Sequence, residues 1–429
     1  MYINRISIRN LKGFGELDFD LARPDGTYAG WTVFTGDNGS GKSTLLKAVA
    51  LCLTGRDTAR ALQPNFHRWI RQGVHMAEVG LEIRRVAGDD KFTGKGKTSR
   101  VGFPAKIVFK NGGKETTIQE DGTSGRTRTP PGRSIWAVDS VGWFSCGYGP
   151  YRRVFGATPE AMQQMVTPST ARFATLFQEA ASLAEADRWL RDLKYKELES
   201  RVGEGRLLDL LLRLLGDDLL PNELSIKRVD SDGLWLEDRN GVELAWGEMS
   251  DGYRSALALL TDIVRHLTLA YGLEDLTATD ADGKLYIKRS GVVLIDEIDA
   301  HLHPEWQQQI GFWLKKHFPN IQFLVTTHSP IVCQAADPNG LFVLPEPGSG
   351  DRPNALSATE YQRVIASRPD TILLTSAFGL QNTRSPRAVA NRAAYAKLEA
   401  KKRAGGRLTK MEKTEARDLK PFAVNEEEL

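Results

Sequence analysis

Cysteine is scarce in this chain. There are three, Cys52, Cys146 and Cys333, in 429 residues. Their odd number and wide spacing exclude a disulfide framework and any paired-cysteine metal motif. The sequence does not open on a charged and then apolar leader, and with so few cysteines a reducing cytoplasmic setting is expected. Uninterrupted apolar runs approaching ~20 residues are missing, so no membrane-spanning helix and no membrane partner are expected. Excess charge is missing as well: the net value is +3, so any surface for nucleic acid must come from local clustering. Long heptad runs are absent, which excludes an extended coiled coil. What remains is ample apolar mass, 41% hydrophobic against 26% charged. A chain of this size can bury two or three domain-sized cores.

The most informative stretch runs Gly36-Asp37-Asn38-Gly39-Ser40-Gly41-Lys42-Ser43-Thr44. Before it, Trp31 to Thr35 reads as a buried strand; after it, Thr44 to Leu51 reads as a helix ending near Gly55. Strand, glycine loop and helix together make a phosphate site of the G-x-x-x-x-G-K-[ST] kind. Glycines let backbone N–H groups curl around phosphate oxygens, and the helix N-terminus adds a favourable dipole. Gly36, Asn38, Gly39, Ser40, Gly41, Lys42, Ser43 and Thr44 are the expected ATP-binding set. Lys42 supplies a charge for the β- and γ-phosphates, and Ser43 an oxygen for Mg²⁺.

Alternation over residues 1–22 predicts two strands joined at Lys12-Gly13. Strands are also expected over 77–86, 106–109 and 135–146. Two polar, glycine-rich loops lie between them, within 88–134. They carry Lys91, Lys95, Lys97, Arg100, Lys110, Lys114, Arg126, Arg128 and Arg133, read as a solvated surface or as phosphate-backbone contacts. Residues 159–220 read as helical, and 224–246 as a three-strand meander with turns at Gly233 and Gly241. Ser250 is positioned to cap a helix running to about His266. Short strands are expected at 285–288, 292–295, 321–325 and 341–344, with a helix over 305–317. Residues 384–420 hold twelve Lys or Arg against four Asp or Glu. This basic tail, followed by Glu426-Glu427-Glu428, reads as solvated helix, DNA-facing surface or partner dock.

Val292 to Ile295 ends in Asp296-Glu297. A carboxylate at such a strand end can hold Mg²⁺, and the next can accept a proton from attacking water. Asp296 is therefore the expected metal residue, with Ser43, and Glu297 the expected general base. His328 ends the following strand, where it would face the γ-phosphate. His301 and His303, with His67 and His75, match no metal-site spacing.

Taken in order, these motifs resemble the ATP-binding-cassette (ABC) ATPases, over roughly residues 1–345. Within them the chain is similar to the soluble branch of RecF, the structural-maintenance-of-chromosomes (SMC) proteins and the overcoming-lysogenization nucleases. The opening Ile6-Ser-Ile-Arg-Asn-Leu-Lys-Gly-Phe14 and Asp296-Glu-Ile-Asp-Ala-His-Leu-His-Pro304 carry that likeness. It implies an α/β fold: an ABC-type P-loop NTPase core, an N-terminal antiparallel β-subdomain and an inserted helical lobe. The expected partition is 1–158, first ATPase lobe; 159–266, helical lobe; 267–345, rest of the core; 346–429, basic helical region. It also implies ATP hydrolysis with Lys42, Glu297 and His328 as catalytic residues. Ser250 and Gly252 match the family signature, which contacts nucleotide bound to the opposite protomer. A homodimer or higher oligomer follows. Asp251 stands where glycine is usual, Tyr253 where glutamine is usual, and His303 at the position where the D-loop usually has aspartate. Residues 147–153 lie where the family places its Q-loop, without a glutamine.

Gly147-Tyr-Gly-Pro-Tyr-Arg-Arg153, Arg172-Phe-Ala-Thr-Leu-Phe177 and Phe378-Gly-Leu-Gln-Asn-Thr-Arg-Ser385 give a narrower resemblance, to ATPases of bacterial anti-phage systems. Septu and related retron systems pair such an ATPase with an HNH nuclease; the PARIS ATPase is a second candidate. The implied role is control of a nuclease effector, HNH type favoured, with DNA as a further ligand left open. The alternative is a DNA-repair or chromosome-maintenance ATPase that binds DNA directly. The Toprim domain of the overcoming-lysogenization nucleases has no counterpart in the basic, Ala-rich residues after the core. No nuclease site is read in the chain.

If the tail meets nucleic acid or an acidic partner, charge reversal at Lys401, Lys402 and Arg403 weakens that binding and flattens its salt dependence. Affinities measured across a salt series check this. Unchanged affinity for both DNA and partner makes the tail a solvated helix only.

Overall fold

A computed structural model describes residues 1–95, 101–112, 115–120, 129–154, 158, 167–199, 202–220, 223–346 and 354–423. Lys97, Arg100, Lys114, Arg126, Arg128, residues 159–166 of the expected helical segment and Glu426–Glu428 lie outside these. The chain divides into two compact units, Met1–Ile372 and Leu373–Leu429.

In the first unit, β1 (Tyr2–Leu11) and β2 (Phe14–Asp20) form the expected hairpin. β3 (Gly30–Thr35) leads into α1 (Lys42–Leu62). Gly55 leaves helical geometry at φ 74°, as expected of a helix stop. The helix resumes beyond it, because the indole of Trp136 packs against Gly55 and donates to the Cys52 carbonyl at 2.8 Å. β4 (Met76–Arg84), β5 (Gly102–Asn111) and β6 (Thr116–Glu120) complete a five-stranded antiparallel sheet, ordered β2-β1-β4-β5-β6. β6 is a correction: its residues read as loop in the sequence.

The expected strand over 135–146 is also corrected. Only β7 (Ser145–Tyr148) is extended. Upstream, Gly142 and Trp143 take positive φ, and the Asp90 carboxylate accepts the Trp143 N–H at 2.8 Å. The 89–90 turn thus folds this segment into turns. Arg133, counted among the solvent-facing cations of the loops, is buried and donates to the Thr93 and Gly94 carbonyls. Of the helical stretch, α2 (Ala184–Leu198) and α3 (Val202–Gly216) are its long members. The meander forms as expected from β8 (Ser225–Asp230), β9 (Gly233–Glu237) and β10 (Glu243–Ala245). α4 (Asp251–Tyr271) runs past His266 to stop at Gly272, φ 77°. β11 (Thr277–Thr279) pairs with β12 (Leu285–Ile287). Then come β13 (Gly291–Ile295), α5 (Pro304–His317), β14 (Ile321–Thr326), β15 (Leu341–Val343) and β16 (Asn354–Ala355).

The second sheet runs β16-β15-β3-β14-β13-β7, parallel except for β16. β13 and β14 are buried at every residue, as strands covered on both faces must be. α1 packs on both β4–β6 and β7, β13 and β14, so it lies between the two sheets and is buried on nearly every side up to Gly55. Phe19 of the first sheet meets Phe34 and Phe342 of the second edge-on, with centroids 5.2 and 5.3 Å apart. All three cysteines are buried free thiols. Among the described residues no helix is long and apolar enough to cross a membrane.

In the second unit, α6 (Pro386–Arg403) and α7 (Lys410–Ala423) pack against each other. α6 buries none of its residues. Thr409 and Glu412 cap α7 reciprocally, and Lys401 reaches Glu412 at 2.6 Å.

Phe19→Ala removes the ring that joins the two sheets. It should cost ~3–5 kcal/mol of stability in chemical denaturation, as large-to-small core changes do. A loss within the range of a surface substitution would mean that the two sheets do not depend on this contact.

Candidate active site

Parallel pairing sets the site. Phe34 of β3 pairs with Thr326 of β14, and Val325 of β14 with Ile295 of β13. The loops leaving the three strands therefore emerge side by side at the carboxyl edge of the sheet. Open α/β sheets bind their ligands at this edge.

The first loop holds Gly36, Gly39 and Gly41 at φ 143°, 85° and 92°. Gly41 is required twice over, because a Cβ there would also run into the Phe14 ring. Asn38 and Gly39 are exposed, whereas Ser40 is buried, its hydroxyl without a partner among the described residues. Lys42 is buried, and its Nζ donates to the carbonyls of Gly36 and Asp37 at 2.8 and 3.0 Å. Burial pulls its pKa down, and the nearby Glu297 and Asp296 oppose that shift. Ser43 and Thr44 are half-buried in the first turn of α1.

Asp296 leaves β13 buried. Its Oδ1 accepts the Thr326 hydroxyl at 2.6 Å, and that hydroxyl oxygen accepts the Glu297 N–H at 2.7 Å. Thr326 thus fixes both acids, a role not assigned to it from sequence. Asp296 Oδ2 is buried without a partner among the described residues. Glu297 is half-buried at φ 47°, a left-handed conformation costing roughly 1–3 kcal/mol for such a residue. His328 is exposed just beyond β14.

Ser250 occupies the N-cap position of α4, yet its exposed side chain makes no capping hydrogen bond. The cap expected of it is therefore not formed. Gly252 packs so closely that a Cβ would lie 2.5 Å from the His301 carbonyl oxygen. His303 caps α5 instead, accepting from the Glu305 N–H at 3.5 Å. Ser250, Gly252, Tyr253, His301, Leu302 and His303, with Trp306, line a cavity of about 550 Å³.

Sequence reasoning passed over Arg152. It is 4% exposed and donates through Nη2 to the carbonyls of Glu297, Ile298 and Ala300. Burial brings its pKa down to about 10, against the pull of Asp299, Asp296 and Glu297. The available signal was an arginine just past the strand that pairs with β13.

The donor set fits nucleotide with a divalent cation. An orphaned buried carboxylate oxygen suits a water-bridged metal, and the orphaned Ser40 hydroxyl and left-handed glycines suit phosphate oxygens. Mg²⁺ held here by Ser43 and Asp296 would neutralise charge that develops on the phosphates.

Lys42→Ala removes the ammonium seated in the glycine loop and should abolish ATP binding by calorimetry without unfolding the chain. Near-wild-type affinity would exclude the loop as the phosphate site.

Residues 170–333 match the family described as "AAA domain, putative AbiEii toxin, Type IV TA system", and residues 5–142 an "AAA domain" family. The retron Ec83 probable ATPase of Escherichia coli is 47% identical over 109 residues, 25% of this chain and 18% of that one. Septu protein PtuA of Bacillus mycoides is 26% identical over 336 residues, 77% of this chain and 38% of its own length. The DNA replication and repair protein RecF of Gloeobacter violaceus is 33% identical over 107 residues, 24% of this chain and 26% of that one. Among solved structures, a Pyrococcus furiosus Smc head domain bound to the C-terminal domain of ScpA superposes at TM-score 0.49 and 15% identity, over 85% of this chain and 98% of that one. The chain thus spans well under half the length of these curated relatives. The chain resembles AAA-domain proteins over residues 5–142 and 170–333, and the Septu and retron ATPases over the stretches given.

Proposed function

We propose that the chain binds and hydrolyses ATP as the ATPase of a prokaryotic anti-phage defence system, and that its nucleotide state controls a partner nuclease. The observation that carries the ATPase part is the convergence of Lys42, Asp296, Glu297 and His328 at one sheet edge. Lys42 and the backbone of Gly36 to Thr44 hold the phosphates. Ser43 and Asp296 hold the metal. Glu297 takes the proton of the attacking water, and His328 faces the γ-phosphate. The exposed Ser250 and the tightly seated Gly252 present the signature to a second protomer, closing a homodimer or a higher oligomer.

Likeness to the Septu and retron ATPases supports the defence role, and the family resemblance implies an HNH nuclease as the effector. Likeness to RecF, with the exposed cations of α6, supports the second reading, an ATPase of DNA repair or chromosome maintenance that binds DNA directly. DNA binding by the isolated chain favours this second reading. Co-purification of a nuclease from the native operon favours the first. A cytoplasmic location accords with either.

Glu297→Gln keeps shape and hydrogen bonding but removes the proton acceptor. Loss of a general base costs ~10²–10⁴-fold in rate, while binding through Lys42 persists. The variant should therefore accumulate as an ATP-bound closed assembly in light scattering, and Ser250→Arg should prevent that assembly. Phosphate release at the wild-type rate removes Glu297 from the role. An assembly indifferent to ATP and to Ser250→Arg means that the chain associates through another surface.

A further inference from the structure

The acid assigned above as general base stands in a turn, just past the end of its strand. After β13 the chain passes through turns from Asp296 to His301, with Glu297 at φ 47° and His301 at φ 66°. Such a segment has an intrinsic tendency to relax, and every relaxation swings the Glu297 side chain. Something must therefore over-determine it.

Anchors from three neighbouring elements do so. From the end of β14, Thr326 accepts the Glu297 N–H on its hydroxyl at 2.7 Å and the Ile298 N–H on its carbonyl at 3.1 Å, and the next residue, Thr327, donates its hydroxyl to Asp299 Oδ1 at 2.5 Å. From α4, Gly252 lies against the His301 carbonyl. From the end of β7 comes Arg152, whose single nitrogen Nη2 meets the carbonyl oxygens of Glu297 at 2.9 Å, Ile298 at 3.3 Å and Ala300 at 3.0 Å. A planar, always-charged guanidinium suits this task, because it can gather several carbonyls around one end without losing its proton. Burying a cation is costly, and a site that retains one needs its charge or its geometry. Arg152 itself is held at φ 24°, and its Nη1 is buried with no hydrogen-bond partner among the described residues. The chain thus keeps a buried cation in a strained position beneath the turn that presents Glu297.

We propose that Arg152 is a positioning residue for hydrolysis: by gathering the carbonyls of residues 297, 298 and 300 it fixes the turn, and so the direction of the Glu297 carboxylate. This rests on the ATPase reading given above. Arg152 touches neither the glycine loop nor its lysine in the contacts just given, so it acts on turnover and leaves nucleotide affinity alone. Lysine at this position keeps the charge but offers a single compact ammonium, which cannot reproduce the planar fork of the guanidinium.

The test uses the full chain with ATP and Mg²⁺. Wild-type turnover is measured first; an inactive wild type defeats the ATPase reading itself. With an active wild type, Arg152→Lys should lower kcat by at least ~10-fold, part of the ~10²–10⁴ that a general base supplies. ATP affinity should stay within about two-fold, since groups that act independently keep their separate contributions. The decisive measurement is the double variant. If Arg152 works through Glu297, adding Arg152→Lys to Glu297→Gln should lower the residual rate hardly further, because residues acting as a unit are non-additive. Multiplicative losses in the double variant overturn the proposal, as does wild-type turnover in Arg152→Lys. An Arg152→Lys protein that has lost ATP binding together with turnover also overturns it, and makes Arg152 a residue of the fold alone.

Discussion

The site depends on one constraint, the parallel register of β3, β14 and β13. These strands are buried on both faces, so slipping the register would expose apolar residues or bury a polar loop. With the register fixed, the glycine loop, the two acids and the Thr326-Thr327-His328 segment leave the sheet at one edge. The antiparallel sheet acts on the same edge from the other side of α1. Phe14 occupies the space that a Cβ on Gly41 would need, and Phe19 joins Phe34 and Phe342. The hairpin of β1 and β2 is thus part of what shapes the phosphate loop.

The turn after β13 is the second dependent element. Besides its own turn bonds, from the Ala300 N–H to the Glu297 carbonyl and from the Leu302 N–H to the Asp299 carbonyl, it is held from outside by Thr326 at the end of β14 and Thr327 just beyond it, by a guanidinium from beyond β7 and by a close glycine contact from α4. A segment fixed by its neighbours reports on them. Any shift of α4, which begins with Ser250 and Gly252, bears on the His301 carbonyl and hence on the turn that carries Glu297. This links the proposed dimer surface to the proposed chemistry through a contact already present within one protomer.

The parts of this arrangement legible in the sequence were those dictated locally. Continuous apolar runs gave β3, β13 and β14, alternation gave β1 and β2, and the meander turns at Gly233 and Gly241 gave β8 to β10. The strand expected over 135–146 failed because a distant carboxylate, Asp90, turns the chain at Trp143, and periodicity carries no information about that contact. Gly55 breaks helical geometry as a local rule says it should, yet packing with Trp136 lets the helix resume. Ser250 satisfies the preference for a capping residue without making the cap. Arg152 received no role for a related reason: its place just past a strand end is visible in the sequence, but only the fold brings the turn at 297–300 over it.

Charge in the cleft completes the account. Lys42 and Arg152 are buried cations, and Asp296, Glu297 and Asp299 are the acids that act on both. Arg152 is already committed to three carbonyls, and Lys42 to two in its own loop. An arriving triphosphate must therefore draw Lys42 away from the Gly36 and Asp37 carbonyls while it approaches a cluster with more carboxylates than cations. The loop N–H groups and the dipole of α1 favour the phosphates, but only over the first turn. The acids beyond β13 oppose them unless a divalent cation lies between. Nucleotide affinity and metal affinity are then coupled through Asp296, whose Oδ2 is buried without a partner among the described residues. The coupling is reciprocal by thermodynamic necessity. The acids proposed for hydrolysis would thereby also make the cleft selective for nucleotide that carries its metal.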